Sequence, residues 1–141
     1  MNKPEVSLNR FALAVAQAVM PEDMIAYLTA RRWKPVECRV DGLIAYRSPD
    51  GGTGVTFPAP GIYEGDGLAM LYGLGWVALS ESRDVSYDLA LVKFAAEVAA
   101  SRGRAAEVYR VLDEFMPSRP VPVSGANGPA APTNELAGTG S

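Results

Sequence analysis

Hydrophobic residues near the start of the chain recur at the spacing of an amphipathic helix. The pattern predicts a helix over about residues 8–19, with Ser7 as its N-cap. The apolar stripe of this helix is Leu8, Phe11, Val15 and Val19. Pro21 suits the first position of a second helix. That helix ends at Arg31 and Arg32, where cations complement the negative end of the helix dipole.

The middle of the chain changes to the period-two alternation that is typical of β-strands. Apolar and charged residues alternate over residues 36–40, which predicts a half-buried strand with Cys38 on its inner face. Two apolar runs then flank the segment Ser48-Pro49-Asp50-Gly51-Gly52. Proline presets φ, aspartate bonds its own backbone and glycine takes positive φ, so the sequence predicts a β-hairpin over residues 43–57.

The run from Leu68 to Leu79 is apolar on every side, so its period does not distinguish helix from strand. We expect a helical start and an extended end over Trp76–Leu79. Two amphipathic patterns follow, over about residues 87–101 and 104–116, with Ser86 as the expected N-cap of the first. The short break between them predicts a helical hairpin.

These elements predict one α+β domain over residues 1–116. We expect a short antiparallel sheet, with its hairpin at residues 43–57, packed against the N-terminal helices and the C-terminal helical hairpin. From Pro117 onward the chain is rich in proline, glycine and alanine with almost no charge. Residues 117–141 are therefore predicted to be a disordered tail.

Composition removes several classes of catalytic site. The 141 residues include no histidine and one cysteine, Cys38. Without histidine there is no Ser-His-Asp or Cys-His nucleophile and no zinc site built from histidine and cysteine. We therefore expect no enzymatic activity, no metal and no cofactor. A carboxylate-dependent enzyme, centred on Glu64 and Asp66, stays open as a third alternative.

Binding of a protein partner is the leading functional interpretation. Tyr63, Tyr72 and Trp76 lie beside a loop rich in glycine and proline. Tyrosine and tryptophan are frequent anchors of protein interfaces, although an ordinary core also uses them. The sequence thus favours a small intracellular accessory protein, such as an adaptor, inhibitor or immunity factor, with these three residues in partner binding.

Nucleic-acid binding is the alternative interpretation. A basic cluster with one aromatic residue is formed by Arg31, Arg32, Trp33, Lys34 and Arg39. Such a patch suits phosphate contacts and base stacking. The opposing interpretation gives the arginines a helix-capping role and turns Trp33 into the core. The net charge of −3 favours the opposing interpretation. Arg102, Arg104 and Arg110 form a second, weaker patch.

One stretch has a partial resemblance to a known family. Ile25 to Pro58 combines a helix, Arg-Arg-Trp-Lys-Pro-Val, a strand and the turn Ser48-Pro49-Asp50-Gly51. It resembles the helix-strand-strand core of small double-stranded-RNA-binding-like toxins that cleave messenger RNA. That family depends on a histidine in its first strand, where this chain has Val40-Asp41-Gly42. The resemblance therefore implies an RNA-binding or protein-binding scaffold without ribonuclease activity.

The expected location is the cytoplasm. One cysteine cannot form an internal disulfide, so nothing indicates an oxidising compartment. The apolar run over residues 11–18 also resembles a signal peptide, but Asn9-Arg10 and Gln17 interrupt it. Abundant alanine, valine, arginine and glycine with few lysines suggest a high-GC genome, as in a bacterium or its phage.

Overall fold

The structure, a computed structural model, describes residues 6, 8–61 and 67–115. Within them the elements are α1 (Arg10–Gln17), α2 (Pro21–Ala30), β1 (Lys34–Val36), β2 (Leu43–Arg47), β3 (Gly54–Pro58), α3 (Gly67–Ser80), α4 (Asp88–Ala100) and α5 (Ala105–Phe115). The predicted α+β class is confirmed. The predicted tail and the candidate residues Tyr63, Glu64 and Asp66 lie outside the described residues.

At the start of each of the first two helices a side-chain oxygen accepts a backbone hydrogen bond. The Asn9 side chain accepts a hydrogen bond from the Ala12 N–H at 2.7 Å, so Asn9 is the N-cap of α1 in place of the predicted Ser7. In α2 the Asp23 carboxylate accepts a hydrogen bond from the Met20 N–H at 2.9 Å. Each bond satisfies a backbone donor at the start of its helix. Val15 and other apolar residues of α1 are buried, which gives this run a place in the domain core.

The three strands form an antiparallel sheet in the order β1-β2-β3. The predicted hairpin over residues 43–57 is confirmed, with Ile44 opposite Phe57 and Tyr46 opposite Val55. The predicted strand over residues 36–40 is wrong: β1 ends at Val36, because the following residues form the connection that reverses the chain into β2. As a result Cys38 is only half-buried.

Helix α3 is continuous from Gly67 to Ser80, so the expected extended segment Trp76–Leu79 is wrong. The helix packs against β3 and α1. Gly73 permits the close approach to β3, because a Cβ there would lie 3.1 Å from the Thr56 carbonyl oxygen and 3.2 Å from the Phe57 Cβ. Burial on several sides explains why the sequence of α3 lacks a single apolar stripe.

The predicted helical hairpin is confirmed as α4 and α5, which pack against each other and against α1. The predicted cap at Ser86 is wrong, because its N–H and hydroxyl bind the Asp84 carboxylate. No single helix among the described residues is long and apolar enough to cross a membrane; α1 and α2 pass that test only as a pair, and they meet at 73°.

Candidate functional site

One side of α3 exposes large apolar side chains. Leu68 is 46% exposed, Tyr72 39% and Leu79 43%, and Trp76 is half-buried between them. We call these four residues the α3 stripe. Apolar side chains that are exposed singly are normal, whereas four in one row form a contiguous patch, which is a candidate contact surface.

The rotation of α3 is fixed by its buried side chains. Those that are fully buried are Met70, Leu71, Leu74, Val77 and Ala78. They belong to the hydrophobic core, together with residues of α1, α2 and β3. Turning the α3 stripe inward would expose these residues, so a rotation of α3 cannot bury the stripe without disrupting the core.

The α3 stripe is narrow, straight and uncharged. At about 100° per residue its four positions fall within an arc of about 80°, and at about 1.5 Å per residue it is about 17 Å long. Between Gly67 and Ser80 the sequence has no aspartate, glutamate, lysine or arginine. A partner would therefore contact this surface mainly through apolar groups. The polar groups of the stripe are the Tyr72 hydroxyl and the Trp76 indole N–H.

The structure brings together two of the three residues predicted to bind a partner. Tyr72 and Trp76 are one helical turn apart on the α3 stripe. Leu68 and Leu79 complete the stripe and were missed, because a run that is apolar on every side does not show which side faces outward. In the structure the four side chains follow an i, i+4, i+8, i+11 spacing.

The predicted basic-aromatic patch is divided between the core and the surface. Trp33 is only 5% exposed, so a base cannot stack on its ring without displacing core residues. Arg31 binds Glu81 at 3.1 Å and Glu97 at 3.3 Å, and its guanidinium lies 3.6 Å from the centre of the Tyr27 ring. The guanidinium of Arg31 is therefore already paired with two carboxylates of the same chain.

Two cations instead meet on the outer face of the sheet. Lys34 of β1 lies directly opposite Arg47 of β2. Both are exposed, and the ion pairs of the described residues include neither of them. The Arg47 guanidinium donates a hydrogen bond to the Gly51 carbonyl oxygen at 3.0 Å. Arg47 was missed because its position opposite Lys34 depends on strand register. Arg32 and Arg39 are also exposed.

The second predicted basic patch has a structural partner. Asp23 is fully buried, and its carboxylate forms an ion pair with Arg104 and lies 3.7 Å from Arg102. These contacts tie the connection between α4 and α5 to the start of α2. Arg110 pairs with Glu107 within α5 at 3.1 Å.

Two carboxylates have local structural roles. Asp50 accepts hydrogen bonds from the Ser48 hydroxyl and the Gly52 N–H, and the first of these bonds is the main cause that lowers the pKa of Asp50. The Ser86 hydroxyl and N–H similarly lower the pKa of Asp84. Among the described residues no group of three cysteine or carboxylate side chains is placed to hold a metal ion.

An open groove of about 390 Å³ lies beside the start of α4. Its lining includes Arg83, Asp84, Tyr87, Lys93 and Phe94. Arg83 forms ion pairs with Glu81 and Glu97, and its guanidinium lies 5.1 Å from the centre of the Phe94 ring. The groove thus borders an ion-pair network that joins α4 to the end of α3.

Comparison of the chain with protein-family models, with curated proteins and with solved structures finds no match.

Proposed function

We propose that this protein acts by binding another protein, and that the α3 stripe is the contact surface. The observation that carries the proposal is the row of exposed Leu68, Tyr72 and Leu79 with half-buried Trp76 on a helix without charged residues. Helices that recognise other proteins present large apolar anchors at this kind of spacing. Tyrosine and tryptophan supply large contact area with few rotatable bonds.

The α3 stripe has a size that suits a reversible interaction. Its four side chains expose on the order of 300 Å² of apolar surface. At about 25 cal/mol per Å², burial of that surface contributes about 7 kcal/mol before the cost of association is subtracted. A stable complex therefore needs further contacts around the stripe, whereas a transient complex does not.

The proposed role requires no catalysis and no cofactor. The absence of histidine from the sequence removes the commonest general base, and the carboxylates of Asp50 and Asp84 are held by local hydrogen bonds. A cytoplasmic location belongs to the same proposal, as does an accessory role such as that of an adaptor, inhibitor or immunity factor.

Site-specific photo-crosslinking tests the proposal in the native cell. Tyr72 is replaced by a benzophenone-bearing amino acid, and Tyr109 is replaced in the same way as the matched control. Both tyrosines are exposed, at 39% and 44%, but Tyr109 lies on α5. The proposal predicts a discrete crosslinked protein band from position 72 and none from position 109.

Competition with unlabelled protein tests whether the crosslink is specific. Unlabelled wild-type protein is expected to suppress the band, whereas unlabelled Tyr72→Glu protein is not, because burial of an unpaired charge costs several kcal/mol. Equal crosslinking from positions 72 and 109, or suppression by both competitors, would contradict the proposal.

Nucleic-acid binding is the second candidate, and the Lys34–Arg47 pair favours it. Like charges directly opposite each other on neighbouring strands destabilise a sheet, and a phosphate group would relieve that repulsion. On this account the surface consists of Lys34 and Arg47, with Arg32 and Arg39 at its margins. Trp33 and Arg31 have structural roles.

The second candidate is tested with a labelled single-stranded RNA and fluorescence anisotropy. Lys34→Gln/Arg47→Gln is compared with Arg10→Gln/Lys93→Gln, which removes the same charge from exposed positions on α1 and α4. If the sheet binds phosphates, only the first variant weakens binding, and the slope of log K against log salt becomes shallower by about 1.4. Equal effects of the two variants would exclude the sheet surface.

A further inference from the structure

The groove beside the start of α4 has one wall from α4 and one from the segment that leads into that helix. Ser82 directs this segment, because its positive φ of 59° turns the chain at the end of α3. The Arg83 N–H then donates a hydrogen bond to the Ala78 carbonyl oxygen at 2.8 Å. The Asp84 carboxylate accepts two hydrogen bonds from Ser86. Because these contacts hold the segment in place, binding of a ligand requires little further ordering.

The groove has large apolar side chains in its lining. Phe94 contributes to the lining although it is only 3% exposed, and the Arg83 guanidinium is held near its ring. Tyr87 and Leu89 also line the groove, and they are 59% and 51% exposed. A ligand that lies against them removes apolar surface from water. The lining therefore favours a ligand with an aromatic or branched aliphatic group.

The two walls also present charges of opposite sign. Arg83 is already paired with two carboxylates. Asp84 and Lys93 both line the groove, and the ion pairs of the described residues, which extend to 4.0 Å, include neither of them. A hydrogen bond from the Ser86 hydroxyl lowers the pKa of Asp84, so its carboxylate is ionised at neutral pH. The groove thus offers one anion and one cation to a bound molecule.

We propose that this groove binds a free α-amino acid with an aromatic or branched aliphatic side chain. Lys93 contacts the carboxylate of the amino acid, and Asp84 contacts its ammonium group. The side chain of the amino acid lies against Tyr87 and Leu89. A ligand with a single charge would leave either Asp84 or Lys93 without a counterion. Phenylalanine, with about twelve non-hydrogen atoms, is of a size that a groove of about 390 Å³ accepts.

This inference goes beyond the proposed function, because the groove and the α3 stripe share no residue. Asp84 and Lys93 are exposed, so water weakens their contacts with a ligand. We therefore expect a dissociation constant on the order of 0.1–1 mM for phenylalanine. Such an affinity suits a protein that responds to the concentration of an abundant metabolite.

Isothermal titration calorimetry on the purified full-length chain tests the inference with four ligands. L-phenylalanine has all three groups, whereas N-acetyl-L-phenylalanine lacks the ammonium group, phenethylamine lacks the carboxylate and L-alanine lacks the apolar body. Each of these three is expected to bind about fivefold more weakly than L-phenylalanine, or less tightly still. No binding of L-phenylalanine at about 10 mM would overturn the inference. Equal affinity for phenethylamine or N-acetyl-L-phenylalanine would also overturn it.

Two variants test which residue contacts which charge. Lys93→Gln is expected to weaken binding of L-phenylalanine about fivefold and to leave binding of phenethylamine unchanged. Asp84→Asn is expected to weaken binding of both, but not of N-acetyl-L-phenylalanine. Asparagine keeps an oxygen that can accept the hydrogen bonds from Ser86, so the segment retains its path. Arg10→Gln, at an exposed position on α1, is the matched control and should bind like the wild type. Unchanged affinity of Lys93→Gln and Asp84→Asn for L-phenylalanine would contradict the assigned groove.

Discussion

Tyr27 shows how a buried polar side chain joins three helices. It is fully buried in α2, and its hydroxyl donates a hydrogen bond to Glu81, just after α3, at 2.7 Å. Its ring packs edge-on against Phe94 of α4, with 5.8 Å between the ring centres. Burial and, after it, the hydrogen bond to the negatively charged Glu81 raise the pKa of Tyr27 well above its usual range. The neutral phenol is thus part of the native structure.

The raised pKa of Tyr27 predicts a loss of stability in alkaline solution. Its contribution to stability is complete below about pH 10, where the phenol is neutral in both the folded and unfolded states. At higher pH the unfolded state ionises first, so the free energy of unfolding falls by up to about 1.4 kcal/mol per pH unit. Tyr27→Phe removes this component, although loss of the hydrogen bond costs about 1 kcal/mol at neutral pH.

Denaturant unfolding measures this difference in the free energy of unfolding. It is performed on the wild type and on Tyr27→Phe, from neutral pH to about pH 11. Phenolate absorbance provides an independent check, since Tyr27 should not ionise until the protein unfolds. The explanation would be wrong if the wild type and Tyr27→Phe lost stability in parallel.

Asp23 is a second residue whose burial leads to a prediction. Its carboxylate is fully buried and binds Arg104 and the Met20 N–H. Asp23→Ala removes the cap of α2 and leaves Arg104 without its anion, so we expect a loss of about 3 kcal/mol in the free energy of unfolding. Asp41→Ala, at an exposed position, is the matched control and should change stability by less than about 0.5 kcal/mol. Urea denaturation of the two variants distinguishes these values.

The packing of helix α3 determines that the α3 stripe faces outward. It packs against β3 on one side and α1 on another, and Gly73 stands at the contact with β3. A glycine inside a helix normally lowers stability by about 1 kcal/mol relative to alanine. Here the missing Cβ allows the helix to approach the strand and keeps the α3 stripe on the outside.

Gly73→Ala is therefore expected to destabilise the protein, in the opposite direction to the usual effect of this change in a helix. The added Cβ would lie 3.1 Å from the Thr56 carbonyl oxygen, and overpacking typically costs about 1–3 kcal/mol, against a gain of about 1 kcal/mol in helix propensity. We expect a net loss of about 1 kcal/mol in thermal or chemical unfolding. A stabilised variant would show that the contact with β3 is less tight than described.

The elements differ in how far they could be predicted from sequence. The hairpin at residues 43–57 was predictable because Pro49, Asp50 and Gly51 specify its turn through local chemistry. The end of α3 was not predictable, since a helix that is buried on several sides loses the periodicity that identifies it. Apolar and charged residues alternate over residues 36–40 as they do in a strand. In the structure, however, most of these residues form the connection between β1 and β2.

The candidate site was partly predictable for the same reasons. Tyr72 and Trp76 were identified by residue type, which is a local property of the sequence. Leu68 and Leu79 required knowledge of which side of α3 the core covers. The pairing of Lys34 with Arg47 required the strand register, and the contacts of Arg31 with Glu81 and Glu97 join residues far apart in the chain.

At the scale of the whole molecule, the two proposed surfaces lie on different elements. Residues 31–58 carry five cations and three carboxylates, although Arg31 is bound to Glu81 and Glu97. The rest of the chain has a net charge of −5. Helix α3 has no charge and carries the α3 stripe, so the surface proposed for protein binding is separate from the surface proposed for phosphate.

The yield of photo-crosslinking from position 72 relative to position 109, in the native cell, tests the central claim most directly. The account predicts a discrete protein adduct from the α3 stripe and only background from α5. Equal yields at the two positions would contradict the claim that the α3 stripe is a protein-binding surface.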